Sequence, residues 1–117
     1  MDIPKFYETI GVNYNHVLRR LPRESMIEKY LHLFLEDNSF ARLKEAMGTG
    51  DYEEAFKAVH TLKGISLNLE LTPLAAAASD LSEYLRNYAA GAIERTAAEE
   101  KYEMVKTEYE TIRHLIS

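Results

Sequence analysis

Three residues of the segment between Asp51 and Leu69 could together do chemistry: His60, Lys63 and Gly64. An exposed histidine has an ordinary pKa of about 6.5, so its imidazole offers a lone pair at neutral pH without a separate base. Lys63 follows one helical turn later, close enough to meet a negative group carried on the imidazole. Gly64 costs about 0.5–1 kcal/mol relative to alanine inside a helix, which indicates that another molecule approaches the backbone there. The three residues predict reversible phosphorylation of His60, with Lys63 offsetting charge on the phosphoryl oxygens.

The helix that must position these residues has a core face that excludes His60. At about 100° per residue, one apolar stripe collects Ala55, Val59, Leu62, Ser66 and Leu69, with Ala58 and Ile65 beside it. His60 points about 140° away from the centre of this stripe, toward solvent. Phe56 and Leu67 lie on the same outer side, where they form a docking patch for another protein or are boundary residues covered by a neighbouring helix.

The rest of the chain has the pattern of an all-α protein. Apolar residues recur at spacings of three and four, and no strand-length alternation occurs. The segment 48–50 ends one helix and Asp51 caps the next, with Glu54 completing a capping-box pattern. Thr72 and Pro73 are expected as N-cap and N1 of a later helix.

The expected helices are joined by short turns. In chain order they lie at about 4–10, 15–21, 27–47 (one kinked helix or two), 51–69, 72–91 and 98–116. Four long amphipathic helices predict an antiparallel four-helix bundle with short extra N-terminal helices, a single free-standing domain over residues 1–117.

Composition and charge limit the kinds of partner and of chemical site that the chain can have. A chain of 117 residues that is 46% apolar and 28% charged suits one domain with a core. Its formal charge of −5 argues against nucleic acid as a partner, and the lack of cysteine excludes disulfides and thiolate nucleophiles. Residues 1–10 have no apolar region typical of a signal peptide and no run of 18 apolar residues occurs, so we expect a cytoplasmic protein without a membrane partner.

The run VHTLKGIS at 59–66 resembles the motif of histidine phosphotransfer (HPt) domains of two-component phosphorelays. The flanking runs LKEAMGTGDY at 43–52 and LSEYL at 81–85 resemble the segments around that motif, and IGVNY at 10–14 is similar to the N-terminal segment of many bacterial members. The resemblance therefore covers about residues 8–91. It implies a four-helix bundle whose histidine accepts a phosphoryl group from the aspartate of one receiver domain and passes it to another.

The resemblance also implies roles for individual residues. The implied catalytic set is the phosphoacceptor His60, the cation Lys63 and the steric gap Gly64. On the following helix it implies that Ser82 and Arg86 face the histidine, although Arg86 could equally form a surface ion pair with Glu83. Two positions differ from the family pattern: Ile65 stands where the family usually has a small residue, and Glu70 stands where it often has glycine. The resemblance therefore leaves open the packing around the motif and the turn that follows it.

By the same resemblance the partners are receiver domains of response regulators or hybrid histidine kinases, docked around Phe56 and Leu67. The chain would be a phosphocarrier without kinase activity or a cofactor of its own, and the divalent metal would sit in the receiver's acidic pocket. A monomer is the default expectation, although the near-heptad spacing of the tyrosines and isoleucines in the last helix also allows a dimer seam. The alternative is an adaptor that binds receivers through the same surface without being phosphorylated. A hydrolase using His60 as general base would need a nucleophile or oxyanion donors, which the sequence does not supply. Glu28, His32 and Glu36 share one helix face, a pattern more typical of a solvated face than of a metal site.

Overall fold

A computed structural model of the protein describes residues 1–116, and within that range all regular structure is helical. The helices are α1 (Ile3–Thr9), α2 (Tyr14–Arg20), α3 (Glu24–Glu36), α4 (Ser39–Thr49), α5 (Tyr52–Asn68), α6 (Thr72–Leu85), a 3₁₀ helix (Tyr88–Ala90) and α7 (Arg95–Ile116). The all-α prediction is confirmed. No helix in this part of the chain combines the length and apolar character needed to cross a membrane.

Four helices, α4 to α7, form an antiparallel bundle. Helix α4 packs on α5, α5 on α6, α6 on α7, and α7 closes the ring against α4. Helix α3 precedes α4 and also contacts α7, where the rings of Phe34 and Tyr109 lie 5.5 Å apart between centroids. The predicted four-helix bundle with short N-terminal helices is confirmed, and α5 is one of its central members.

Residues 27–47 form two helices rather than one with a kink. Asp37 adopts an extended conformation between α3 and α4, and its carboxylate accepts a hydrogen bond from the Ser39 N–H at 2.8 Å. The chain therefore leaves helical geometry after Glu36 and re-enters it at Ser39. Phe40, one residue into α4, then stacks on Tyr109 with 4.1 Å between ring centroids.

The turn into α5 has the predicted cap but lacks half of the predicted capping box. Gly50 adopts a left-handed φ of 74°, and the Asp51 N–H donates to the Ala46 carbonyl at 2.9 Å, which closes α4. The Asp51 carboxylate accepts from the Glu54 N–H at 3.1 Å. The Glu54 carboxylate does not return to the cap, because it pairs with the Arg42 guanidinium on α4. The turn is thereby tied to both helices that it joins.

Helix α6 differs from the prediction at both ends. It begins at Thr72, one residue before the position expected for its first helical residue, so that the N-cap is Leu71, whose side chain makes no capping hydrogen bond. It ends at Leu85 instead of continuing to Gly91. The apolar spacing suggested a longer helix because Tyr88 continues it, but Tyr88 lies in the 3₁₀ helix, where its ring packs against Phe56 of α5.

Candidate functional site

The core face of α5 is the one that the sequence predicts, and it fixes the orientation of everything on the opposite face. Its fully buried residues are Ala55, Ala58, Val59, Leu62 and Ser66. The Ser66 hydroxyl donates to the Leu62 carbonyl at 2.7 Å, so the one polar side chain of this face is satisfied within the helix. With that face buried, rotation of α5 that would turn His60 inward is excluded.

His60 is exposed on the outer face of α5, with Lys63 half-buried and Gly64 exposed one turn later. Neither the imidazole nor the Lys63 ammonium forms a hydrogen bond or an ion pair with residues 1–116. A Cβ built on Gly64 would meet nothing within 4 Å. No contact inside the described chain therefore requires glycine at this position, and the gap faces outward.

Phe56 lies half-buried beneath His60. The two ring centroids are 6.0 Å apart with an interplanar angle of 29°. Phe56 also contacts Tyr88, again at 6.0 Å between ring centroids, and the Tyr88 hydroxyl lies 3.4 Å from Glu53 Oε1. The rings of Tyr88, Phe56 and His60 are thus in successive contact, from the 3₁₀ helix to the imidazole on α5.

Sequence reasoning missed Tyr88 as a neighbour of the site because its spacing from Leu81 and Leu85 fits the core face of a longer α6. The available sequence signal was Gly91, a residue type common in turns, which follows Tyr88 by three positions. Tyr88 lies in the short stretch between the end of α6 and this left-handed glycine.

Leu67 lies on the outer face two turns beyond His60 and is 49% exposed. Next to it, α5 and α6 border a groove of about 300 Å³. Lys63 and Glu70 stand on the α5 side of this groove, and small side chains of α6, such as Ala76 and Ser79, form the other side. Of the two predicted docking residues, Leu67 is therefore open to solvent, whereas Phe56 is partly covered.

Ser82 and Arg86 have different surroundings from those that the resemblance implies. Ser82 is only 1% exposed, and its hydroxyl oxygen has no hydrogen-bond partner in the described chain, so it does not lie on the surface expected of a binding residue. It is buried because it faces into the bundle with the apolar residues of α6. Arg86 is exposed and donates to the Glu83 carboxylate at 3.0 Å, which is the surface ion pair that the sequence left open.

The C-terminal end of α5 is held by the N-terminal helices. The Tyr7 hydroxyl, fully buried, donates to the Leu69 carbonyl at 2.7 Å, and Arg20 donates to the Leu67 carbonyl at 2.8 Å. Burial, with a smaller effect from the Glu70 carboxylate, raises the pKa of Tyr7 far above its usual value. These two bonds tie α1 and α2 to the helix that carries His60.

The turn after α5 forms although glycine is absent from it. Glu70 takes a left-handed φ of 55°, and the Leu71 N–H donates to the Ser66 carbonyl at 2.9 Å while the Glu70 N–H donates to the Leu67 carbonyl at 3.2 Å. This is the Schellman geometry that usually employs glycine. Arg20 Nε lies 3.8 Å from the Glu70 carboxylate. The turn after the motif, which the sequence left open, therefore forms with Glu70 in place of glycine, at the cost of some backbone strain.

The acidic and histidine side chains of α3 form only a loose pair. His32 Nε2 lies 3.9 Å from the Glu28 carboxylate, and both side chains are well exposed. Across residues 1–116 no group of three or more histidine or acidic side chains is arranged to hold a metal ion.

A family model described as "Hpt domain" matches residues 29–115 of this chain. The matched part begins within α3, ends one residue before the end of α7 and contains all of α5, while α1 and α2 lie before it. Comparison with curated proteins and with solved structures gave no significant match.

Proposed function

The chain belongs to the Hpt domain family, whose members carry phosphoryl groups on histidine in phosphorelays, and we propose on this premise that His60 is its phosphoacceptor. In the proposed cycle, His60 accepts a phosphoryl group from the phospho-aspartate of one receiver domain and passes it to the aspartate of another. The observation that carries the proposal is the exposed imidazole on the outer face of α5, which has no hydrogen bond or ion pair within residues 1–116, with the Lys63 ammonium equally unpaired in that range and an open glycine one turn away.

The transfer step balances without a further reactant. A lone pair of the neutral imidazole attacks phosphorus, an N–P bond forms, and the P–O bond to the aspartate breaks so that the carboxylate leaves with its electron pair. The return step reverses these bonds with the carboxylate of the second receiver. Because the charge of the phosphoryl oxygens moves with the group, Lys63 is proposed to offset it on this chain, and a divalent metal in the receiver's acidic pocket is proposed to offset it there.

Surroundings of His60 suit a carrier. The Lys63 ammonium has no carboxylate partner among the described residues, so its charge is not already neutralised within the chain. A Cβ on Gly64 would meet no atom of the described chain within 4 Å, and this open space one turn from the imidazole leaves room for the active-site loops of a partner. Leu67 supplies an exposed apolar side chain on the same face for docking.

The experiment that tests this proposal is transfer of labelled phosphate from phosphorylated receiver domains to the wild type and to His60→Gln. A matched control is His32→Gln, which removes an exposed histidine on α3 that lies outside the proposed site. We expect label on the wild type and on His32→Gln, lost in acid and stable in base, and none on His60→Gln. Label that persists on His60→Gln would refute the assignment. Receiver binding without label on any variant would instead favour the adaptor that is not phosphorylated.

A further inference from the structure

We propose that Phe56 is a positioning residue, which holds the imidazole of His60 in a restricted orientation and is itself held by Tyr88. This inference rests on the proposed function, because it concerns the orientation of the ring that receives the phosphoryl group. It assigns Phe56 a role inside the carrier rather than at the surface that a receiver contacts.

The first observation is the position of Phe56 on the helix. Side chains of an α-helix lean toward its N-terminus, so the imidazole of residue 60 lies over residue 56, one turn earlier. The observed 6.0 Å between ring centroids and the 29° interplanar angle correspond to this arrangement. No hydrogen bond or ion pair within residues 1–116 fixes the imidazole, so we assign its restriction to the ring contact with Phe56.

The second observation is that Phe56 is held from outside its own helix. Tyr88 of the 3₁₀ helix packs against it, with 6.0 Å between ring centroids and an interplanar angle of 39°. The connection that carries Tyr88 is itself fixed, since the Tyr84 hydroxyl accepts a hydrogen bond from the Glu94 N–H at 2.8 Å. Gly91 adopts a left-handed φ of 68° that reverses the chain between them. The position of the imidazole is therefore coupled to the α6–α7 connection through two ring contacts.

The third observation is that Phe56 is less exposed than Leu67, the other predicted docking residue. Phe56 is half-buried, whereas Leu67 on the same face is 49% exposed. A receiver can contact Leu67 directly, but it reaches only part of the Phe56 ring. The same aromatic side chain can therefore limit the motion of His60 before any partner arrives.

Rotamer counting gives the expected size of the effect. In a helix two χ1 rotamers are common for such a side chain, and χ2 of an imidazole has about two broad orientations. A ring released from its support divides itself among about four arrangements, of which one suits in-line transfer. Loss of the Phe56 ring should therefore lower the maximal transfer rate about two- to fourfold at saturating receiver, with the KM for the receiver unchanged.

The test compares Phe56→Leu, Phe56→Tyr and Tyr88→Leu with the wild type in two assays. The first is NMR relaxation of the His60 ring in the unphosphorylated protein, which needs no partner. The second is phosphotransfer measured as maximal rate and KM. We expect a more mobile His60 ring and a lower maximal rate in Phe56→Leu and in Tyr88→Leu, and recovery of both properties in Phe56→Tyr, which retains a ring.

Phe40→Leu is the matched control for loss of stability. Phe40 is a half-buried aromatic residue of α4 that stacks on Tyr109, in contact with α7 and not with His60. It should lower the melting temperature without changing the His60 ring or the maximal rate. An unchanged ring mobility in Phe56→Leu would overturn the inference. So would a raised KM with an unchanged maximal rate, since that result belongs to a docking residue.

Failure of this inference is distinguishable from failure of the proposed function. Absence of label on the wild-type protein contradicts the function and leaves the ring measurement to decide on Phe56. Normal transfer by the wild type together with identical behaviour of Phe56→Leu contradicts only the positioning role.

Discussion

Substitution of Gly64 by alanine should move stability and phosphotransfer in opposite directions. The new methyl group meets no atom within 4 Å, so it creates no clash inside the described chain. Alanine is favoured over glycine in a helix interior by about 0.5–1 kcal/mol, and the residue lies well within α5. For a chain of this size the gain corresponds to a rise in melting temperature of about 2–5 °C.

The same methyl group should slow transfer at least tenfold, by our estimate. It projects from the outer face about one turn from the imidazole, where we propose that the receiver approaches. A misplacement of the reacting groups by about 1 Å can cost about 100-fold in rate, so even a partial displacement of the receiver is measurable. Thermal unfolding followed by circular dichroism gives the stability, and initial rates with labelled receiver give the transfer.

Gly48→Ala is the matched control for this prediction. Gly48 also lies in a helix, near the end of α4, and its Cβ would likewise meet nothing within 4 Å. It should stabilise the protein by up to a similar amount and leave transfer unchanged. A destabilised Gly64→Ala would show that a contact within the chain requires the glycine. A stabilised Gly64→Ala with wild-type transfer would show that no partner approaches the backbone at this position, and either result would refute the reasoning.

Two further predictions concern the ends of α5. Tyr7→Phe removes the buried hydrogen bond to Leu69 and should lower the free energy of unfolding by about 1–2 kcal/mol in denaturant titrations at neutral pH. Because the pKa of Tyr7 is raised in the folded state, its stabilising effect is complete below about pH 10 and declines as pH rises above that value. Stability curves of the wild type should fall more steeply there than those of Tyr7→Phe, and parallel curves would contradict the linkage. Glu70→Gly should raise the free energy of unfolding by about 0.5–1 kcal/mol, because glycine adopts the left-handed φ of 55° without strain. Glu70→Ala keeps that strain, so equal stability of the two variants would contradict this explanation.

The sequence predicts those structural features that depend only on residues close together in the chain, and it fails for features that depend on contacts between helices. The end of α4 at 48–50 and the cap at Asp51 are local, because each depends on the conformation of two or three neighbouring residues, and both were predicted. The partner of Glu54 is not local, since Arg42 competes with the helix cap from a different helix. The predicted end of α6 at Gly91 was wrong for the same kind of reason, because the position of Tyr88 depends on a contact with a different helix, α5.

The candidate site shows the same distinction. The outward direction of His60 follows from helical periodicity alone, so the sequence predicts it. The surroundings of Ser82 depend on how α6 is rotated against its neighbours, and this residue is buried instead of facing a partner. The bonds from Tyr7 and Arg20 join residues about 50 positions or more apart in the chain, and no spacing rule reaches that far.

The two faces of α5 separate the stability of the protein from its proposed chemistry. Val59 and Leu62 flank the site in sequence and are fully buried, and each such side chain contributes about 1.5–3 kcal/mol through burial. The ammonium of Lys63 and the imidazole of His60 form no hydrogen bond or ion pair with the described chain that a phosphoryl group would have to break. Phosphorylation would therefore add negative charge to one face without removing a contact that holds the bundle together. We expect the fold to be the same before and after transfer, so that a receiver distinguishes the two forms by the phosphoryl group itself and not by a change of shape.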